Sequence, residues 1–261
     1  MRSLSIAATG MLAQQTNVEV ISNNIANMNT TGHKRQRAEF QDLLYQDLRR
    51  VGATSSDAGT IVPTGIQIGV GVKVQGVYSI HTQGNMLVTE NPFDLAIEGK
   101  GYFRVALPDG QDAYTRAGAF QRSPTGQLVT PDGYTVQPGI TIPTEAVDVI
   151  VNPTGEILAK LSGQTEITTV GQLELAVFAN EAGLESIGDN LMLETPASGT
   201  ANVSTPGQTG FGTLRQGYLE TSNVNPVSEI TTLITAQRAY EMNSKVITAS
   251  DEMMRTVTTL R

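Results

Sequence analysis

The chain has 261 residues with a formal net charge of −8, no Cys, no Trp and two His. Without Cys there can be no disulfide, thiolate metal site or Cys nucleophile, and no run reaches the ~18 apolar residues of a membrane span. The acidity is local: residues 1–50 carry 6 Lys+Arg against 4 Asp+Glu, residues 221–261 carry 4 of each, and residues 51–220 carry 7 against 17, which fits a solvated body between two near-neutral ends.

In chain order, Leu4, Met11, Val18 and Ile25 recur every seven residues, and Ala7, Gln14, Ile21 and Met28 follow each of them by three. This heptad predicts a helix over roughly the first thirty residues. Ile6, Ala13 and Val20 form a further apolar row, and Glu19 is the only charged side chain between Ser3 and Gly32. Such a helix is expected to be enclosed on several sides. Asn27, Asn29 and Gly32 supply its stop. The opening MRSLSIAATGMLAQQ has one Arg, no unbroken apolar core and no small-residue cleavage site, so it does not read as a secretory signal.

His33, Lys34, Arg35 and Arg37 are basic but few and lack interleaved aromatics; they read as a solvated turn, and nucleic acid is not an expected partner. Phe40, Leu43, Leu44 and Leu48 fit a helical period without a cap, so the conformation of residues 33–50 is left open. The Gly/Ser/Thr-rich stretch Val51–Gly65 is a turn or tip. Ile66, Ile68, Val70, Val72 and Val74 alternate with other residues as in a strand, and residues 42–78 are expected to form a long hairpin. Beyond it, Pro108-Asp109-Gly110, Pro124-Thr125-Gly126, Pro131-Asp132-Gly133 and Pro153-Thr154-Gly155 punctuate short apolar runs, the pattern of an all-β, largely antiparallel domain. Residues 195–213 are expected to be a loop leading back to the last element.

That element begins at Asn225 and Pro226, a side-chain cap followed by a ring pre-set for the first helical position. Leu233, Tyr240, Ile247 and Met254 form one seven-residue row, with Ala239, Val246, Met253 and Leu260 beside it. The fold class is therefore α+β. N- and C-terminal helices form an antiparallel coiled-coil module, joined through the hairpin to an all-β middle domain. The expected divisions are 1–41, 42–78, 79–220 and 221–261. The expected assembly seam is Leu4, Met11, Val18, Ile21, Ile25, Met28, Leu233, Tyr240, Val246, Ile247, Met253, Met254 and Leu260. Packing beside other copies would bury its second rows; a coiled-coil dimer, or a helical pair docked on a monomer, are the alternatives.

Residues for chemistry are sparse. Gly99-Lys100-Gly101 and Gly210-Phe211-Gly212 lack a third glycine and a following helix, and there is no P-loop pattern. His33 and His81 are too isolated for a metal site or a triad, and Asp109 and Asp112 fall in turns. No cofactor, metal or catalytic residue is assigned, and the protein is expected not to be an enzyme.

Ser22-Asn23-Asn24-Ile25-Ala26-Asn27 and Thr31-Gly32-His33-Lys34-Arg35 resemble the N-terminal signature of bacterial flagellar rod and hook proteins. Gln237-Arg238-Ala239-Tyr240-Glu241, with Asn243-Ser244-Lys245, resembles their C-terminal signature. Glu98-Gly99-Lys100-Gly101-Tyr102-Phe103, Tyr114 to Phe120 and Gly183 to Asn190 resemble their middle domain. His33 stands where that family often has Phe. The length, and the Leu43–Gln46 run with the insertion after it, are most similar to distal-rod members. The resemblance implies a structural subunit of a helical tube that transmits torque and encloses an export channel. Its implied partners are further copies, proximal rod and hook proteins along the axis, the bushing rings and the flagellar export apparatus. No membrane insertion is implied, and the implied place is the basal body between periplasm and outer membrane, reached without a cleavable signal. A proximal rod or hook subunit, or a non-flagellar coiled-coil scaffold, are the other readings.

Overall fold

The structure, a computed structural model, describes residues 2–49, 64–162 and 167–259. The tip of the Val51–Gly65 insertion, up to residue 63, and Leu260 lie outside the described residues. The chain divides into two compact units. One comprises Met1–Ile25, Gln36–Tyr78 and Asn225–Arg261; the other comprises Ala26–Arg35 and Ser79–Val224. Helices at both ends with a mostly β middle make the fold α+β.

In the terminal unit, α1 spans Arg2–Ala26 and α2 spans Pro226–Thr259. Asn225 Oδ1 accepts from the N–H groups of Val227 (3.1 Å) and Ser228 (3.4 Å), which satisfies donors that have no intrahelical partner. Four strands follow α1: β1 (Gln36–Asp42), β2 (Tyr45–Arg49), β3 (Ile66–Gly69) and β4 (Val72–Ser79). β1 pairs with β4, and β2 pairs antiparallel with β3, placing Gln46 opposite Ile68 and Asp47 opposite Gln67. Leu43 N–H donates to Gly71 O between the two pairs at 2.9 Å. Residues 36–49 are thus extended rather than helical. Phe40, Leu44 and Leu48 are four apart, a spacing that one strand face satisfies as well as a helix does. Cross-strand pairing decides between them.

The other unit is built from short strands. β5 (Met86–Val88), β6 (Leu95–Glu98), β7 (Tyr102–Ala106) and β8 (Asp112–Thr115) are followed by a dozen more. β7 and β8 form a hairpin at the centre of a nine-stranded sheet, with Leu191–Leu193 beside β8 and Leu175–Val177 beside β7. Ala146–Val151, Glu156–Leu161 and Ile167–Gln172 form a separate antiparallel meander. The stretch expected to be a plain loop contains a strand, Asn202–Ser204, that pairs with Leu175–Val177. One turn recurs four times. In each Pro-x-Gly the glycine N–H returns to the carbonyl three residues back: Gly110 to Leu107 (3.0 Å), Gly126 to Ser123 (2.8 Å), Gly133 to Thr130 (2.9 Å) and Gly155 to Asn152 (2.8 Å). All four glycines have positive φ, which side chains resist.

β7 is buried on both faces. Phe103 meets Phe120 edge to face with ring centroids 4.9 Å apart, amid Leu95, Ile97, Leu175 and Leu214. Tyr102, from the opposite face, joins Tyr114, Ala176 and Phe178. Aromatic pairs of this kind add about 0.5–1.5 kcal/mol beyond area burial.

A charged cluster closes this unit. Glu220 is 1% exposed. Its Oε1 lies 2.6 Å from Lys34 Nζ and accepts from Gly84 N–H at 2.8 Å. Its Oε2 lies 2.5 Å from Arg116 Nε. Lys34 also donates to Thr82 O, and Arg116 donates to the carbonyls of Ile97, Gly99 and Gly101. The expectation of a solvated turn at residues 33–37 is thereby corrected: Lys34 is buried, because its ammonium donates to a buried carboxylate and a carbonyl. Burial opposes ionisation of Glu220, but Arg116 and Lys34 outweigh it and hold the carboxyl below its usual range. Burial lowers the Lys34 ammonium, and attraction to Glu220 offsets part of that. Nearby, burial, then Lys34 and Arg116, depress His81 to about 4. His33 is lowered by burial and by Lys34.

Two outcomes follow for stability. Glu220→Gln leaves two buried cations facing a neutral amide and is expected to cost ~3–5 kcal/mol in denaturant unfolding of the intact chain. In the unfolded chain His81 titrates near ~6.5, and in the fold near about 4. Between those pH values the unfolded state binds more protons, so stability falls as pH falls through that window. Glu220 adds a further loss below it, as its carboxylate protonates. His81→Gln is expected to flatten the decline between pH ~6.5 and ~4 without abolishing it, because burial and Lys34 hold His33 below its ordinary value as well. Melting temperatures of both proteins across that range are the measurement, and parallel curves would refute the assignment.

Candidate functional site

The two terminal helices run antiparallel, as contacts along their length show. Ser250 Oγ donates to Ser3 Oγ at 3.2 Å. Gly10 faces Asn243 so closely that a Cβ there would lie 2.8 Å from Asn243 Nδ2. Asn24 Nδ2 donates to Glu229 Oε2 at 3.2 Å. Ser3, Gly10 and Asn24 are seven and fourteen residues apart, and so are Ser250, Asn243 and Glu229. The same offset sets Asn17 opposite Ala236, which is buried. The facing rows are small and polar, unlike the apolar seam of an ordinary coiled coil.

The sequence-expected seam residues flank these rows. Ile21 is buried, and Leu4, Met11, Val18, Ile25, Leu233, Ile247 and Met254 are half-buried. Met28 lies beyond the end of α1 and is exposed. Tyr240, Val246 and Met253 are 44%, 45% and 54% exposed. The apolar heptads are the shoulders of the contact, and the central row went unnoticed because it is not apolar. Its signal was available: Ser3, Gly10, Asn17 and Asn24 keep the same seven-residue spacing as the rows beside them.

The start of β4 lies against α1. Val72 N–H donates to Thr9 Oγ1 at 3.3 Å. A side chain at Gly71 would collide with Thr9. Asn24 pairs with Gln36 as a strand residue would, its Nδ2 donating to Gln36 O and its Oδ1 accepting from Gln36 N–H, both at 2.8 Å. With its bond to Glu229, the one side chain joins α1, α2 and the start of β1.

Much apolar surface stays uncovered in this unit. On α2, Val227 (75%), Met242 (61%) and Val257 (64%) are exposed, as are Ile230 and Ile234. Among the strands after α1, Leu44 just before β2 is 86% exposed, and Leu48 and Ile66 are exposed too. Single exposed apolar residues are ordinary, but contiguous rows mark interaction surfaces. Between the helices a groove of about 350 Å³ has Val18 and Tyr240 among its lining, with Glu19 and Glu241 at its sides. In the β unit a cleft of about 230 Å³ is lined by Thr31, Thr115, Thr130, Asp132, Asp189 and Asn190. Among the described residues no three His, Asp or Glu side chains are grouped to hold a metal ion. Among the described residues no helix is long and apolar enough to cross a membrane.

Comparison with known proteins agrees with this layout. Residues 4–34 match the family described as flagella basal body rod protein. Residues 96–159 match the flagellar hook protein FlgE/F/G D1 domain, and residues 215–260 match the flagellar basal body rod FlgEFG protein C-terminal region. The chain is 61% identical to the flagellar basal-body rod protein FlgG of Caulobacter vibrioides over 100% of both chains. It is 56% identical to that of Agrobacterium fabrum over 97% of both. Against FlgG of Bacillus subtilis the identity is 40%, over 100% of this chain and 99% of that one. The matched stretches include the terminal helices and the core of the β unit. This chain belongs to the flagellar basal-body rod protein family.

Proposed function

We propose that this family member is a structural subunit of the distal rod and polymerises into a rigid helical tube. In this reading α1 and α2 pair as an antiparallel coiled coil, and copies pack side by side around an export channel while the β unit faces outward. The tube transmits torque. Its neighbours are proximal rod proteins and the hook along the axis and the bushing rings around it, and the chain leaves the cell through the flagellar export apparatus without a cleavable signal. The subunit carries out no catalysis and needs no cofactor.

The observation that carries this reading is the outer surface of α2. Val246 and Met253 continue one heptad row and are about half exposed, with Met242 and Val257 close to them. Neighbouring copies in a tube would cover such a row, and that burial supplies the association energy. The polar row of α2 is meanwhile committed to α1.

Concentrated purified protein is expected to form tubes of one diameter by electron microscopy. Val246→Glu and Met253→Asp each place a carboxylate in the row expected to be covered, where burying it unpaired costs several kcal/mol per contact. Both are expected to abolish polymerisation and to leave the unfolding free energy of the dilute subunit within about 0.5 kcal/mol of the parent. Normal tubes from either variant would remove α2's outer row from the assembly.

A further inference from the structure

We propose that the polar row between α1 and α2 sets their register, and that Glu229 and Asn243 are the positioning residues that exclude alignments slipped by one heptad. The apolar rows cannot do this alone. Leu4, Met11, Val18 and Ile25 face the same kind of surface if one helix slides by seven residues, because the row on α2 repeats at that interval. The polar row does not repeat in kind. In the observed alignment hydroxyl meets hydroxyl, glycine admits an asparagine, and an amide meets a carboxylate.

A slip in one direction sets Asn24 against Ala236 and Ser3 against Val257, and carries Glu229 beyond the end of α1. A slip in the other direction sets Gly10 against Ala236 and Ser3 against Asn243, and carries Asn24 past the first residue of α2. That second alignment gives Glu229 an amide again, from Asn17, but it shortens the overlap and leaves Ser250 without Ser3. Asn24 and Glu229 are both buried, so a slip that parts them removes a bond that water does not readily replace. Asn24 cannot shift independently, because its amide also grips both backbone groups of Gln36. A single polar position fixes register in coiled coils at some cost in stability; here the device is spread over the length of the pair. The inference concerns pairing within one subunit and holds whether or not copies assemble.

The native chain has no Cys, so introduced thiol pairs report alignment without background. Two double variants read the native alignment and one slip in dilute subunit: Ser3→Cys with Ser250→Cys, and Ser3→Cys with Val257→Cys. In the parent background only the first is expected to form an internal disulfide efficiently. Glu229→Leu with Asn243→Leu makes the row apolar. In that background the Ser3→Cys/Val257→Cys disulfide is expected to rise about tenfold or more relative to the first. Glu229→Gln keeps an acceptor for Asn24 and is expected to retain the native pattern, which a loss of helix packing in general would not. A native-only pattern in the leucine background would overturn the proposal. So would a slipped disulfide in the parent. Loss of all disulfides together with helical circular dichroism in the leucine background would also overturn it, since the row would then be needed for pairing itself rather than for register.

Discussion

The carboxylate of Glu220 is satisfied by two cations and an amide, and the closure of the β unit depends on it. Burying three charges is favourable only if nearly every donor and acceptor is met, and that requirement dictates what surrounds them. Arg116 spends its guanidinium on carbonyls of the loop between β6 and β7, which sets the start of the central hairpin. Gly32 N–H donates to Glu220 O at 2.8 Å. At φ +69°, with the backbone of Arg116 and Ala117 within 3.0 Å of where a Cβ would be, position 32 accepts only glycine. Thr31-Gly32-His33-Lys34 and Tyr114-Thr115-Arg116-Ala117-Gly118 are distant in sequence because each supplies one side of the same enclosure.

The helical unit solves a different problem with similar means. A subunit whose helices faced one another through their most apolar rows would have little left with which to hold neighbours. Here the facing rows are serine, glycine, asparagine, alanine and glutamate, and the bulky apolar residues lie at the shoulders and outside. Polar side chains hold the subunit's own two ends, and apolar area remains for contacts beyond it.

What could be seen from the residues alone follows from how local each cause is. Both helices, the Asn225 cap and the four Pro-x-Gly turns depend on neighbours a few positions away, and their patterns were legible. The class of the middle domain was legible for the same reason. The apolar heptads were legible as rows but not as faces: periodicity shows which residues share a side, and only the partner shows which side is innermost. Asn17, Asn24 and Asn243 look like solvent-facing residues until their opposite numbers are known. Lys34 looked solvated because its partner is 186 residues away, and nothing near it in sequence signals a buried carboxylate. The strands at 36–49 were hidden by a spacing that suits either secondary structure.

The division of the chain has a mechanical consequence. The backbone passes between the two units four times, at residues 25/26, 35/36, 78/79 and 224/225. Within the β unit three of those passages are stitched to each other. Ile80 N–H donates to Arg35 O at 2.8 Å, Asn223 Oδ1 accepts from Arg35 N–H at 2.7 Å, and Asn223 Nδ2 donates to Ile80 O at 2.8 Å. A lone tether relaxes a twist by swivelling about its own single bonds. Within the β unit these cross-bonded passages cannot turn about one another unless those bonds shear together.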